Sequence, residues 1–595
     1  MSDTRSRSGV VQVDAPGSTL DARRSVIWAL GAVSVVALVL RLVGIQYGLP
    51  AVYNPDEVAI MTRALSFAKG TLNPGNFLYP TFYFYVLFGW VGVYLAAVWL
   101  TGGVSSLAAL QELYFTNPVG IYTAGRLLTA LCGTLSVVAV YRLGRELFNV
   151  QVGLACALFL AVSPLAVRDS HYVKHDVPVT LIIVLAHVAI IRIWPCIRTP
   201  NRAARDVIAA AAICGVAFST HYYAIFLTFP LVWAIVQRWR GAGTRVVLRH
   251  LVAAAIVSTI VFFALSPFVL VEPITAMRDI IANRQIVIDR AVHDQPFAPL
   301  GRYMEMLWMD SMGGIVVAFG VAGATCMAFV APARAVLLLL FPLSFLLFIA
   351  NTAPASRYLN PMLPSIAILA AWMIDHLAST FRVSRVAAWI VILAAVLTPL
   401  RESVRVDQFF RTDDTRTVAL RFVHDHVAAG ATILIQPYSV SLTPSRDSLR
   451  EALATNLGTV EAASTKFQIQ LRIEPYPTPA YRLIWLGSGG LDSDKIYVDP
   501  ARLSAADGVR ELKRLGVTYV ILKRYNNLDR ELATFVTELS EHGRLIARFS
   551  PYRPEATQAE RSRTEPFLHN TDTRIDDALE RPGPPLEIWQ LDDPS

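Results

Sequence analysis

Long apolar runs, separated by short stretches that gather arginine, constrain this chain more than anything else in it. They occur at 26–44, 80–101, 121–141, 151–167, 177–194, 207–220, 222–236, 250–271, 308–331, 334–350, 358–378 and 386–400. A hydrocarbon layer about 30 Å thick needs roughly 20 such residues in a helix. The composition agrees: 54% of residues are hydrophobic and only 16% charged, with a mean hydropathy of +0.46. A soluble domain carries about 25% charge, so a polytopic membrane protein is expected, and a wholly soluble enzyme or a disordered chain is excluded. The pieces 207–220 and 222–236 are short, and read as thin spans or one hairpin reaching the surface at His221. No small-residue cleavage site follows the first run, so it reads as a span and not a cleaved leader.

The arginines set an orientation. Arg5, Arg7, Arg23 and Arg24 precede the first run; Arg142 and Arg145, then Arg192 to Arg205, Arg238 to Arg249, and Arg382 with Arg385 lie between later ones. Basic loops stay in the cytoplasm. This assignment works for every run if 80–101, which opens with the aromatic YPTFYFY, lies along or re-enters the outer face without crossing. Eleven crossings then remain, with residues 1–24 cytoplasmic, a membrane domain over 25–400 and the C-terminus outside. The net charge of +8 is thereby spent on topology, and no nucleic-acid partner is expected. The five cysteines have no metal-type spacing, and no Asn-x-Ser/Thr acceptor occurs, which favours a bacterial plasma-membrane chain.

After about residue 401 the pattern changes. Short β-rich runs at 431–436, 481–487, 517–523, 545–550 and 587–592 alternate with amphipathic stretches at 415–428, 445–457, 504–515 and 528–541. This predicts a small α/β domain over 401–595, with 551–584 as a Pro-, Arg- and Thr-rich loop. No phosphate-binding loop or nucleophile motif is apparent there, so the domain reads as a scaffold or an acceptor-docking unit.

The proposed topology puts three reactive groups on one side. Asp56 and Glu57 follow the first span in YNPDEVAI; they read as a candidate general base and its neighbour, or as the acidic first turn of an interfacial helix capped by Asn54. The loop RDSHYVKHDVPVT carries Lys174 and Asp176, with His171 and His175 four apart, a spacing that on a helix would put both on one face within reach of a metal. The spacing supplies no third ligand, so no metal is assigned. In ASRYLNPMLP, Arg357 offers a planar cation suited to phosphate, next to Tyr358, and Lys69 is a further cation in the first loop.

Together PDE at 55–57, GTLNPGNFLYPTFYFY at 70–85, GRLLTALCGTLSVVAVYRLGRELF at 125–148, KHDVPVT ending the second loop and RYLNPMLP at 357–364 resemble the GT-C glycosyltransferases, in particular the family 39 and 83 branch of protein O-mannosyltransferases and lipid A aminoarabinose transferases. The resemblance covers roughly 25–400. It implies inverting transfer of a sugar from a polyprenyl-phosphate donor to a lipid, glycan or protein acceptor outside the cytoplasm. Asp56 would then act as base and Glu57 orient the acceptor, or the two would exchange roles, with Asp176 in support; Arg357, helped by Lys174 or Lys69, would hold the phosphate, with His171, His175 and Tyr358 as supporting groups. The metal constellation of the aminoarabinose branch is not matched, so none is carried over. The rival class is a transporter or lipid flippase, against which no inverted repeat is visible.

Reporter fusions after residues 110 and 175 should both report the outer face, and fusions near 145 and 243 the cytoplasmic one. A cytoplasmic signal at 110 would mean that 80–101 crosses.

Overall fold

The computed structural model describes residues 16–194, 203–289, 297–489, 492–504, 507–524, 532–568 and 574–592. Arg5, Arg7, Arg198 and Arg202, and the beginning of the helix expected at 528, lie outside these residues. The first part is a helical bundle: α1 (Pro16–Leu42), α2 (Pro55–Leu65), α3 (Phe82–Leu100), α4 (Leu107–Thr116), α5 (Val119–Leu147), α6 (Val150–Ala161), α7 (Pro164–Asp169), α8 (Asp176–Ile193), α9 (Ala203–Thr220), α10 (Thr228–Arg238), α11 (Thr244–Leu265), α12 (Phe268–Val271), α13 (Pro273–Asp289), α14 (Leu300–Met306), α15 (Gly314–Val330), α16 (Pro332–Ile349), α17 (Leu363–Thr380) and α18 (Arg385–Arg411); α19 (Thr415–His426) follows and packs on the C-terminal sheet. Among the described residues nine helices are long and apolar enough to cross a membrane, and three shorter apolar ones run over 150–161, 222–238 and 314–330. The chain is a multi-pass membrane protein. Eleven crossings were expected; the nine candidates include α3, and the three shorter helices fall on the runs at 151–167, 222–236 and 308–331.

By length and apolarity α3 also qualifies as a span. It packs against α5, α2 and α9. Leu87 reaches Gly125, and Tyr94 stands over Gly120, where any side chain would collide; the Trp90 indole donates to the Ala124 carbonyl at 2.8 Å. These α5 positions all precede Gly133, against which Arg41 at the end of α1 is packed. The helix α3 therefore runs antiparallel to the first turns of α5, past the level where α1 stops.

The loops expected on one side do meet at one end of the bundle. Asn73 donates to Glu272, the Phe77 amide donates to Asp279 at 3.0 Å, and the Tyr222 hydroxyl donates to the Phe77 carbonyl at 2.9 Å. At the opposite end Glu146 pairs with Arg142 and Arg192, and Asn149 donates to Asp375.

The C-terminal domain contains one sheet, order β3-β2-β1-β4-β6-β5, of β1 (Thr432–Ile435), β2 (Arg482–Leu486), β3 (Ile496–Val498), β4 (Tyr519–Lys523), β5 (Gly543–Phe549) and β6 (Leu586–Leu591). The first four pair parallel; β6 lies antiparallel between β4 and β5. Five of these strands were expected; the three-residue β3 was not. The expected boundary near 400 falls inside α18, which continues unbroken to Arg411. The segment read as a loop is a buttress: its Phe567, Ile575 and Leu579 are buried with Tyr47, Tyr53, Phe409 and Phe410.

A buried ionic knot ties the two parts together. Asp414 accepts from the Arg416 guanidinium at 2.8 and 2.7 Å and from the Tyr47 hydroxyl at 2.7 Å, and its side chain is 1% exposed. Removing one partner of a buried pair strands the other charge. Asp414→Ala should therefore destabilise the folded protein by roughly 3–5 kcal/mol, with a smaller loss for Asp414→Asn, measurable as unfolding midpoints in detergent. Equal stability of Asp414→Ala and the parent would remove this tie from the account.

Candidate active site

The first loop folds as its sequence dictates. Asn54 is extended, and its side chain accepts from the Asp56 amide at 3.1 Å. Pro55 follows at the first helical position, where a missing N–H costs nothing. Asp56 and Glu57 thus enter α2 as its acidic first turn. Adjacent helical residues point roughly 100° apart, so the two carboxylates must part company.

Glu57 turns inward and is fully buried. It accepts from Arg126 through both carboxylate oxygens, at 2.9 and 2.8 Å, and from the Val173 amide at 2.8 Å. Arg126 also donates to the carbonyls of Ile45 and Tyr47. The role expected for Glu57 as base or acceptor guide does not fit this position; it joins α2, α5 and the two loops.

Asp56 turns outward, 37% exposed, with Lys174 Nζ at 3.2 Å and an Arg357 guanidinium nitrogen at 3.4 Å. Lys174 is itself 3% exposed and lies over the Tyr172 ring. Arg357 rides on a short 3-10 turn, Ser356–Met362. That turn is held by α7: Arg168 pairs with Asp169 at 2.8 Å and donates to the Ser356 hydroxyl at 2.9 Å, while Asn360 donates to Asp169. Arg357 also lies near the Tyr358 ring and within the field of Asp56, Asp176 and Tyr79. Asp176, buried at the start of α8, feels Arg357 first and Lys174 next among its charged neighbours.

The histidines do not form the expected helical pair. The chain between α7 and α8 is a turn, so His171 and His175 diverge. His171 is buried with both ring nitrogens at 2.9 Å from carbonyls of Val167 and Val43; burial pushes its pKa to about 4. His175 stacks on Tyr79 at 4.5 Å, with Tyr83, Phe84 and His221 around it. Burial, then His221 and Arg63, hold its pKa far below the usual value, and burial with Arg357 lowers His221 to about 3. Both are neutral imidazoles. No group of three metal-ligating side chains occurs among the described residues, and two cations lie beside Asp56. Lys69 lies exposed at the end of a 3-10 turn, and among the described residues no contact joins it to Asp56.

Tyr79, His221, Arg126, Arg168 and Asp169 lie in segments the sequence singles out, but none was given a role at the site. The density of charge in 168–176 was the signal for Arg168 and Asp169; only the fold brings the other three.

Residues 120–270 match the family model described as dolichyl-phosphate-mannose-protein mannosyltransferase. The matched stretch includes Lys174 and Asp176, but neither the Asp56 loop, the Arg357 turn nor the C-terminal domain. No curated protein sequence matches the chain. Among solved structures, ArnT from Cupriavidus metallidurans bound to undecaprenyl phosphate is 14% identical, with a TM-score of 0.49, over 89% of this chain and 97% of that one. The archaeal oligosaccharyltransferase AglB from Archaeoglobus fulgidus, in complex with an inhibitory peptide and a dolichol-phosphate, is 12% identical, TM-score 0.46, over 90% and 74%. The S. cerevisiae protein O-mannosyltransferase Pmt1-Pmt2 complex bound to the sugar donor is 17% identical, TM-score 0.31, over 45% and 38%. The family model and these structures fall in the GT-C superfamily of membrane glycosyltransferases, the group the sequence resembles.

Glu57→Gln and Arg126→Met should each lower the unfolding midpoint, by about 3–5 kcal/mol of stability. The double variant should lose much less than the sum, because no buried charge is left alone. Full stability of Glu57→Gln with lost turnover would make Glu57 a participant in chemistry.

Proposed function

We propose that this protein is an inverting glycosyltransferase that uses a polyprenyl-phosphate sugar as donor and a hydroxyl-bearing lipid, glycan or protein as acceptor on the extracytoplasmic side of a plasma membrane. The observation that carries this reading is the half-exposed Asp56 held between Lys174 and Arg357. One carboxylate and two cations are what a displacement at an anomeric carbon with a phosphate leaving group requires.

The steps follow from charge. The donor phosphate competes with Asp56 for Lys174 and Arg357, and so releases the carboxylate as it binds. The acceptor oxygen attacks the anomeric carbon while the bond from that carbon to the phosphate oxygen breaks. The acceptor proton passes to Asp56, and the electron pair of the broken bond stays on the phosphate, where Arg357 and Lys174 stabilise it. One displacement inverts the anomeric centre and needs no covalent intermediate. Asp176, packed behind the two cations, positions them. His175, His221 and Tyr79 form an uncharged wall beside the reacting centre. No step is routed through a metal. A transporter would carry its substrate-handling charges along a path through the bundle, whereas Asp56, Lys174 and Arg357 meet at one end of it.

The test is release of free polyprenyl phosphate from polyprenyl-phosphate sugars by the detergent-purified chain, which a flippase would not catalyse. Asp56→Asn keeps shape but accepts no proton, and turnover should fall by roughly 10²–10⁴-fold with donor binding little changed. Arg357→Ala should weaken donor binding and slow transfer together, since its charge acts in both ground and transition states. Asp56→Asn turnover near that of the parent would overturn the assignment of the base.

A further inference from the structure

The end of the bundle away from Asp56 holds a recess that the transfer reaction does not use. It lies between the start of α6 and the turn from α17 to α18, and has a volume of about 560 Å3. Small-ligand sites run from roughly 300 to 1,000 Å3. Its polar lining comes from Asn149, Gln151, Asp375, Arg382 and Arg385.

Asp375 shapes this recess without neutralising it. One carboxylate oxygen accepts from the Asn149 amide at 2.9 Å, and the other from the Gln151 amide at 3.3 Å; the Gln151 oxygen in turn accepts from Arg385 Nε at 3.2 Å. Among the described residues no carboxylate pairs with Arg382 or Arg385. The other described acidic groups at this end are Glu146, which pairs with Arg142 and Arg192, and Asp206, buried at the start of α9. Arg382, Arg385 and Asp375 therefore leave one positive charge in excess. Arg334 adds another close by, 5.5 Å over the ring of Phe148, the residue before Asn149.

Arg382 also occupies a strained position. Helix α17 is closed by the Val383 amide, which donates to the Ala378 carbonyl at 2.8 Å. A stop of this kind puts the intervening residue in the left-handed region, where glycine is the usual occupant. Here Arg382 fills it, with φ at +54°. Residues held in such strain collect at functional sites.

The surroundings of the recess name the source of an anion that would fill it. Phe381 and Val383 are exposed at the turn, and Val386, Ile390, Leu393 and Leu397 continue from it as an exposed apolar stripe along α18, at helical spacing. A soluble anion makes no use of such a stripe, whereas the acyl chains of a phospholipid lie along it once the headgroup is seated. The arginine fork matches phosphate oxygens, and basic pockets between membrane helices bind acidic lipid headgroups.

We propose that this recess binds the phosphate headgroup of an acidic membrane phospholipid, held by Arg382 and Arg385, in the leaflet opposite the transfer site. The test is native mass spectrometry of the full detergent-purified chain titrated with dioleoyl phosphatidylglycerol, or with dioleoyl phosphatidylcholine, whose headgroup carries no net charge. The first phosphatidylglycerol should bind at least ~10-fold more tightly than phosphatidylcholine. Arg382→Gly and Arg385→Gln should each weaken it by ~10-fold or more. Arg245→Gln, which removes an exposed charge at the same end but outside the recess, should leave it unchanged. A large excess of inorganic phosphate should not displace the lipid. Arg382→Gly relieves the left-handed position, so its unfolding midpoint should hold or rise, and its lost binding is then not misfolding. Equal binding of the two lipids, binding that survives both substitutions, an equal loss in Arg245→Gln, or displacement by inorganic phosphate overturns the site.

Discussion

The bidentate pair of Glu57 with Arg126 is the contact on which the active end of this molecule depends. It is fully buried and satisfies both oxygens of the carboxylate, and it draws in carbonyls from 45–47 and the Val173 amide. Four segments, from residue 45 to residue 173, therefore share one rigid point. Desolvating two charges is expensive, and the net stability from such a pair is small. Its value is positional: once Glu57 is fixed, helical geometry directs Asp56 towards Lys174 and Arg357. Close packing supports the same arrangement. A methyl group at Gly125 would strike Met61 and Val173 at 2.7 and 2.9 Å, so α2 and the second loop can approach α5 only at glycine.

A second layer governs Arg357. Its turn has no long helix to stiffen it, and the Arg168–Asp169 pair supplies the anchor through Ser356 and Asn360. Neutral His175 and His221 stand beside this charge without adding to it. The outcome is a site with one accessible carboxylate and two cations.

Much of this was legible in the sequence, for local reasons. Apolar runs and charge asymmetry reflect a solvent that changes abruptly along the chain, and five strands announced themselves as short β-rich runs between turns. What escaped depends on distance in sequence or on length. The division of labour between Asp56 and Glu57 needs Arg126, 69 residues from Glu57. His171 and His175 look like a ligand pair only if a helix runs through them, and the turn before α8 prevents it. Phe567, Ile575 and Leu579 are single apolar residues in a polar stretch, without periodicity, so the buttress read as a loop. The strand β3 is three residues long and pairs only with β2, too little to leave a pattern.

The helix α18 has a mechanical consequence. It leaves the bundle and continues as one helix, with Pro399 inside it, to Arg411, before three residues lead into α19. A domain mounted on a stiff shaft, with its foot clamped by Asp414 and the buried aromatic residues, cannot swing as a lid on a hinge. Traffic of bulky molecules at this end must then be handled by the loops, and the distance between the sheet and the membrane surface is set like the arm of a gauge. Under the proposed function, acceptors would be sorted by reach: those whose reactive hydroxyl stands at the matching height above the lipid would meet Asp56, and longer or shorter ones would not.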